Sequence, residues 1–179
     1  RRKAQWLHRY PHHQTENIRG NVQTRMRKLR ETGHWKGAIF AKAGLQRMGM
    51  LPDDNEVLDW MLSAPAQGAI LAVTRKHHDL ARKALNEIHR TDVAACVHEE
   101  RGFLRQLEGG CTAPIGALTE IKDSEMHFRG NLTSLDGKQQ FKVEKTVSVD
   151  QADHLGKNCA DDILAQGGDK LMKQLREVL

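Results

Sequence analysis

The sequence has few cysteines and no long apolar run. Its 179 residues include three cysteines, Cys96, Cys111 and Cys159, which are too few and too scattered for a disulfide framework. No apolar run approaches the roughly 20 residues that a membrane-spanning helix needs, and no secretory signal is present. We therefore expect a cytoplasmic protein in a reduced setting, without a membrane partner.

Acidic residues are scarce among the first 50 positions. Twelve Lys or Arg residues stand there against Glu16 and Glu31, a net charge of +10, whereas the whole chain carries +5. A basic segment of this kind predicts an anionic partner, either a nucleic acid or a ligand rich in carboxylate or phosphate. Aromatic residues make up only 4% of the chain, which disfavours a nucleic-acid-binding module that stacks bases. That module stays open as an alternative.

Motifs for metals and nucleotides are also missing. His8, His12 and His13 cluster, but a proline among them breaks any helix that would align them, and no zinc-like spacing follows. His77 and His78 are adjacent and would point apart on a helix. The chain has no phosphate-cradling loop, nucleophile elbow or dinucleotide fingerprint. We predict no metal site.

The first half alternates short apolar runs with helical patterns. The spacing predicts helices over 3–10, between Asn21 and Gly33, over 43–47 and over 79–89, with Asn21 as an N-cap. Strands are predicted over 16–18, 37–41 and 70–73. Strand and helix alternating with short loops is typical of a parallel α/β sheet.

The second half, after a boundary near Arg90, has the pattern of an α+β unit. Thr91 or Asp92 should cap a helix that ends at Gly109-Gly110. Strands are predicted over 115–121, 126–132 and 141–147, with Asp136-Gly137 as a hairpin turn. Two helices should follow, one capped by Asp150 and ended by Gly167-Gly168, the other carrying Leu171, Leu175 and Val178. We expect a three-stranded antiparallel sheet with helices packed on one face.

Cys111 is a candidate reactive thiol. It follows Gly109-Gly110 on a tight loop between a predicted helix and a predicted strand, where a thiolate could attack an electrophile or hold a covalent group. A loop cysteine without a role is the alternative. Cys96 and Cys159 fall on the apolar sides of predicted helices, so we expect both to be inert packing residues.

Arginines form the second candidate group. Arg1, Arg2, Arg19, Arg25 and Arg47 lie at predicted helix starts or turns, where α/β folds bind ligands. The planar guanidinium grips a carboxylate through two hydrogen bonds. A solvated basic surface is the alternative, and it is what we expect of Arg27, Lys28, Arg30 and Lys36.

Four ordered motifs carry a family resemblance that runs over nearly the whole chain. They are Arg1-Arg2-x-x-Gln5, Ile18-Arg19-Gly20-Asn21-Val22-Gln23-Thr24-Arg25, Ala43-Gly44-Leu45-x-Arg47-Met48-Gly49 and Leu107-Glu108-Gly109-Gly110-Cys111-x-x-Pro114-Ile115-Gly116. On these motifs the sequence resembles the porphobilinogen deaminase (hydroxymethylbilane synthase) family of tetrapyrrole and heme biosynthesis. The resemblance implies a transferase that adds four porphobilinogen molecules to a dipyrromethane cofactor and releases hydroxymethylbilane.

The resemblance also implies a role for each matching residue. Cys111 would hold the dipyrromethane through a thioether, and Arg1, Arg2, Arg25 and Arg101 would bind the cofactor. Arg19, Arg25, Arg47 and Gln67 would bind porphobilinogen and the growing polypyrrole chain. Gln67-Gly68-Ala69 matches the family's hinge segment, although Ser63 and Ala66 replace its first proline and first glycine.

The fold implied by the resemblance has three parts. Residues 1–65 would be the later half of a central α/β domain of the periplasmic-binding-protein type, 66–86 a hinge and crossover segment, and 87–179 the α+β domain that carries Cys111. The family's N-terminal domain, with its catalytic aspartate, would precede this chain as its missing partner, so no catalytic residue is assigned and the chain alone should be inactive. A non-catalytic carboxylate-binding domain, with Cys111 unmodified, is the remaining alternative.

Overall fold

The computed structural model describes residues 1–110 and 112–178, so Cys111 and Leu179 lie outside the described residues. The helices are α1 (Arg2–Arg9), α2 (Val22–Glu31), α3 (Lys42–Arg47), α4 (Asp79–Asn86), α5 (Thr91–Gln106), α6 (Leu155–Ile163) and α7 (Asp169–Val178). The strands are β1 (Ile115–Lys122), β2 (Glu125–Thr133) and β3 (Gln140–Ser148). Within the described ranges, no helix is long and apolar enough to cross a membrane.

The three strands form an antiparallel sheet in the order β1-β2-β3. Its register pairs Thr119 with Phe128 and Phe128 with Lys145. Phe128 and Leu132 alternate along β2, are fully buried, and join the core that α5, α6 and α7 complete. The Phe103 ring from α5 lies 5.2 Å from the Phe128 ring, centroid to centroid. The predicted antiparallel sheet with helices on one face is confirmed.

Helix α1 adds a contact on the other face of the sheet, which the sequence did not predict. Asn131 lies between two core-facing residues of β2 and therefore points away from the core. Its Nδ2 donates a hydrogen bond to Oε1 of Gln5, over 3.2 Å. The same Gln5 accepts from the Leu62 N–H (2.9 Å) and donates to the Leu62 carbonyl (3.0 Å). One buried amide thus joins α1, the segment before the hinge, and the sheet.

The first half contains the predicted helices but not the predicted strands. Asn21 caps α2 as expected, because its Oδ1 accepts from the Thr24 N–H at 2.8 Å. The strand predictions over 16–18, 37–41 and 70–73 are wrong for this chain, since no residue of 1–110 belongs to a paired strand. Extended backbone becomes a strand only when a neighbour supplies hydrogen-bonding groups. Ile70 and Val73 remain 92% and 83% exposed.

Two predicted helix starts are displaced. The helix expected from Asp150 is preceded by a 3₁₀ turn, Val149–Gln151, and α6 begins only at Leu155, after His154 in a left-handed conformation (φ 62°). Arg90 rather than Thr91 or Asp92 is the N-cap of α5. The break between the last two helices occurs as predicted, at Gly167 (φ 109°).

Candidate functional site

Two of the predicted arginines, Arg2 and Arg25, contact the segment 39–40, and Arg1 lies next to Arg2. Arg2, the first residue of α1, donates from Nη1 to the Ile39 carbonyl at 3.4 Å. Arg25 is the fourth residue of α2, and its guanidinium carbon lies 5.1 Å from the centroid of the Phe40 ring. Arg1 precedes α1 and donates from Nη2 to Oε1 of Gln67, at 2.9 Å. We call Arg1, Arg2 and Arg25 the arginine cluster.

The arginine cluster concentrates positive charge without a carboxylate to balance it. Burial lowers the pKa of the Arg1 and Arg2 guanidinium groups, and the charges of Arg2 and Arg25 lower it further at Arg1 and Arg2 respectively. Among the residues that the structure describes, no ion pair involves these three side chains. Arg1 Nη1 and Arg25 Nε are buried and have no hydrogen-bond partner among residues 1–110 and 112–178. Buried donors of this kind are costly unless something accepts from them, so the cluster is suited to an anion.

Gln67 is the fourth predicted residue that the structure brings to this place. Its Oε1 accepts from Arg1 and also from the Ala64 N–H, at 3.1 Å. Arg19, Arg47 and Arg101 are exposed, and in the described part of the chain no hydrogen bond or ion pair joins them to the arginine cluster. The structure therefore gathers one subset of the predicted ligands, with Gln67 beside it.

Cys111 lies outside the described residues, but its flanks define the connection between α5 and β1. A Cβ on Gly109 would collide with the Ile115 side chain and lie 2.9 Å from Leu104 Cδ1, so a larger residue there would force these two side chains to shift. The Gly110 carbonyl accepts from the Ala113 N–H at 3.2 Å, which turns the chain toward β1. Glu108 pairs with Arg176 of α7 at 2.7 Å. The described flanks are thus held by contacts to Ala113 and to α7, on either side of position 111.

Cys159 is a packing residue, as predicted, and Cys96 is partly covered. Cys159 is fully buried in the core, and burial raises the pKa of its thiol to about 12. Cys96 is half-buried, and burial followed by the charge of Glu100 raises the pKa of its thiol as well. Because the thiolate is the reactive form, neither residue is suited to nucleophilic chemistry.

Sequence reasoning missed the buried carboxylates of α5. Glu100 is 6% exposed, and its two oxygens accept from the Ala66 N–H (2.5 Å) and the Thr119 N–H (2.7 Å). Burial raises the pKa of Glu100, and these two hydrogen bonds oppose the rise. Glu99 is 5% exposed and accepts from the Gly156 N–H at 2.7 Å. Phe103 follows Glu99 by four residues and Glu100 by three, so all three lie on one side of the helix. This spacing was the signal from which the burial of the two carboxylates could have been predicted.

No candidate metal centre accompanies these groups. Over the described ranges, no cluster of three or more His, Cys, Asp or Glu side chains could hold a metal ion.

Two family models match the chain. The model described as "Porphobilinogen deaminase, dipyromethane cofactor binding domain" matches residues 1–83, which contain the arginine cluster and Gln67. The model described as "Porphobilinogen deaminase, C-terminal domain" matches residues 94–165, which contain the sheet and the connection that carries Cys111. Together the two matches cover most of the chain.

Curated relatives are similar over nearly the whole chain. Porphobilinogen deaminase of Carboxydothermus hydrogenoformans is 36% identical over 98% of this chain, which is 57% of the relative's length. That of Thermus thermophilus is 38% identical, with 98% and 59% covered, and that of Staphylococcus carnosus is 39% identical, with 99% and 58% covered. The chain thus spans less than two thirds of the length of these relatives. On both comparisons, it belongs to the porphobilinogen deaminase family.

Proposed function

We propose that this chain is the cofactor-binding and C-terminal portion of an enzyme that condenses four porphobilinogen molecules into hydroxymethylbilane, a step of tetrapyrrole biosynthesis. The observation that carries the proposal is the arginine cluster, with two buried guanidinium nitrogens for which the described part of the chain supplies no acceptor. Each porphobilinogen ring bears two carboxylates, so a chain of linked rings is a polyanion whose charge matches this cluster. The predicted cytoplasmic location remains part of this proposal.

The residues present fit a dipyrromethane cofactor. Arg1 Nη1 and Arg25 Nε need acceptors, and charge-assisted hydrogen bonds to carboxylates would contribute roughly 1.5–3 kcal/mol each. We assign cofactor binding to Arg1, Arg2, Arg25 and Arg101, with Cys111 as the thioether attachment. When bound, this group supplies the terminal pyrrole to which substrate rings are added. We assign the substrate and the growing chain to Arg19, Arg25, Arg47 and Gln67.

We further propose three parts for the chain, 1–65, 66–86 and 87–179, with the family's N-terminal domain as their partner. In the complete enzyme, the segments 37–41 and 70–73 would become strands of sheets of the periplasmic-binding-protein type. Their apolar sequences and the high exposure of Ile70 and Val73 support this, because such runs are usually covered. The chain by itself should be inactive, since no acid in it is assigned to catalysis.

Calorimetric titration with benzene-1,2,4,5-tetracarboxylate, an inert compound with four carboxylates, tests the arginine cluster. We expect the chain to bind it, and Arg25→Gln to weaken binding about tenfold, the equivalent of one charge-assisted bond. Arg27→Gln is the matched control, because Arg27 lies on the same helix but is exposed and paired with Glu31. Equal losses in both variants would indicate only a diffuse basic surface.

The covalent assignment needs a separate measurement. Intact mass spectrometry on a full-length protein containing this sequence should show the added mass of two linked pyrrole units, and Cys111→Ser should abolish it. An unmodified thiol in a folded protein that still binds the tetracarboxylate would leave the non-catalytic carboxylate-binding domain as the function. Formation of hydroxymethylbilane by the 179-residue chain alone would contradict its proposed inactivity.

A further inference from the structure

A single carboxylate of α5 holds two distant backbone segments. Glu100 accepts from the Thr119 N–H of β1 through Oε1 and from the Ala66 N–H through Oε2. It is 6% exposed, and in the described part of the chain no cation pairs with it. Burying a carboxylate without a cation costs desolvation free energy. We infer that Glu100 is placed here because it accepts hydrogen bonds from these two N–H groups.

The segment that Glu100 holds is a strained turn. Ala66 has φ 60°, a left-handed conformation that a residue with a Cβ adopts at a cost, and such a residue persists only when its surroundings hold it. The turn closes through a hydrogen bond from the Gln67 N–H to the Ala64 carbonyl, at 2.9 Å. Ser63, just before it, is fixed to β1, because its carbonyl accepts from the Ala117 N–H at 3.0 Å. Residues 63–67 are thus held against β1 at two points.

This turn leads directly to the arginine cluster. Gln67 follows Ala66, and its Oε1 accepts from Arg1 Nη2 at 2.9 Å and from the Ala64 N–H at 3.1 Å. Since the Gln67 amide has its carbonyl oxygen fixed by the turn, the position of the turn sets where the Arg1 guanidinium is held. The chain of contacts runs from Glu100 through Ala66 and Gln67 to Arg1.

We propose that Glu100 is a positioning residue, which holds the 63–67 turn on β1 so that Gln67 orients Arg1 for a carboxylate ligand. The inference rests on the proposed function of the arginine cluster. It assigns to the C-terminal unit a second task besides carrying Cys111: its helix α5 fixes a ligand-binding arginine of the first unit. Glu99, its neighbour, ties α5 to α6 instead and is not connected to the hinge.

The neighbouring glutamates allow a matched comparison on the 179-residue chain. Glu100→Gln keeps the shape but presents an amide donor to one of the two N–H groups, whereas Glu99→Gln makes the same change at an equally buried site away from the hinge. Amide hydrogen exchange should accelerate about tenfold or more at Ala66 and Gln67 in Glu100→Gln. Glu99→Gln should leave those two amides at the wild-type rate, because, among the described residues, Glu99 accepts only from the Gly156 N–H and the glutamine carbonyl oxygen can accept that bond.

Ligand binding distinguishes positioning from a purely structural role. We expect Glu100→Gln to weaken binding of benzene-1,2,4,5-tetracarboxylate three- to tenfold, and Gln67→Ala to weaken it by a similar factor. Glu100→Gln in the Gln67→Ala background should add no further loss, because both act through Arg1. Should Glu100→Gln not fold, Gln67→Ala decides alone, since Gln67 is exposed: unchanged affinity in that variant overturns the proposal.

The outcomes separate this inference from the proposed function. Wild-type chain that binds no tetracarboxylate overturns the role of the arginine cluster, and the positioning role with it. Wild-type binding that Glu100→Gln leaves unchanged, or that Glu99→Gln weakens equally, overturns the positioning role alone. Independent, additive losses from Glu100→Gln and Gln67→Ala also overturn it, because the two residues would then act by separate routes.

Discussion

At the scale of single residues, buried polar side chains join segments that are far apart in the sequence. Gln5 contacts Leu62 and Asn131, and Glu100 contacts Ala66 and Thr119, so each spans segments far apart in sequence. The positions of such side chains are fixed by their partners, because leaving a buried donor or acceptor without a hydrogen bond costs about 1–3 kcal/mol. Their role is therefore readable only from the folded chain.

The ionisation of Glu100 predicts a pH dependence of stability. Burial raises the pKa of its carboxyl in the folded chain above the unfolded value of roughly 4.3. Such a group stabilises the folded state fully below the unfolded pKa and loses that contribution as pH rises through the folded pKa. The free energy of unfolding of the wild type should therefore fall relative to Glu100→Gln as pH rises from about 4.

Urea unfolding of both chains at a series of pH values measures that difference, because all other titrating groups are shared. A difference that stays constant with pH, or that moves in favour of the wild type as pH rises, would contradict a raised pKa at this position.

At Gly156, where α6 contacts α5, we expect the addition of one methyl group to lower the stability strongly. A Cβ there would collide with the Glu99 carbonyl oxygen and lie 3.1 Å from the Phe103 nitrogen, both backbone atoms. We expect Gly156→Ala to lower the free energy of unfolding by about 3 kcal/mol, the upper end for overpacking. Gly102→Ala is the control across the same contact, since its Cβ would meet only the Lys157 nitrogen, at 3.7 Å.

Gly102→Ala should raise the stability by about 0.5–1 kcal/mol, because alanine is favoured over glycine within a helix. Chemical denaturation of the two variants measures both values. Similar stability of the two variants would mean that α5 and α6 can separate without loss.

At the scale of elements, the sequence correctly predicted those elements that are formed by interactions between residues close in the chain. The Asn21 cap, the strand over 126–132 and the turn at Asp136-Gly137 involve residues close in sequence, and all were predicted correctly. The strands expected over 37–41 and 70–73 depend on partners that a sequence pattern does not supply. The start of α6 also escaped prediction, because a 3₁₀ turn and a left-handed His154 precede it.

The hairpin turn between β2 and β3 contacts α1, so we expect a substitution in the turn to weaken the packing of α1 on the sheet. Gly137 has φ 76°, and a Cβ on it would lie 2.6 Å from the His8 nitrogen and 2.8 Å from the Ala4 carbonyl oxygen. Its own carbonyl accepts from His8 Nδ1 at 2.8 Å. Gly137→Ala should therefore both strain the turn and push α1 away from the sheet.

Gly49→Ala separates these two effects, because Gly49 also has a left-handed φ (62°) but faces open space. We expect Gly49→Ala to cost about 1–2 kcal/mol of unfolding free energy and Gly137→Ala clearly more. Tryptophan fluorescence should shift only in Gly137→Ala, since Trp6 of α1 lies 6.0 Å from Trp60 between ring centroids. Equal costs and unchanged fluorescence in both would show that α1 is not held by this turn.

At the scale of the whole molecule, the sequence did not contain the arrangement of the candidate ligands. Arg1, Arg2 and Arg25 share a place because α1, α2 and the 39–40 segment converge, and no local pattern contains that convergence. Gln67 was expected from the resemblance alone, and its bond to Arg1 became visible only in the fold. Glu100 was missed because charged residues on a helix are usually solvated.

The exposed apolar segment 70–73 predicts association between copies of the chain. Ile70 and Val73 are 92% and 83% exposed, and the backbone between them is unpaired in the described structure. Unpaired extended backbone with apolar side chains is a template for pairing with another chain. We expect the average mass in sedimentation velocity to rise with concentration, and Ile70→Lys with Val73→Lys to suppress the rise.

The same double variant should change the free energy of unfolding by no more than about 0.5 kcal/mol, because neither side chain is buried within the chain. Val57→Lys, at a site 57% exposed outside the segment, is the control and should leave association unchanged. If the wild type stays monomeric at all concentrations, the segment does not act as a template. If Val57→Lys suppresses association as strongly, the added charge rather than the segment is responsible.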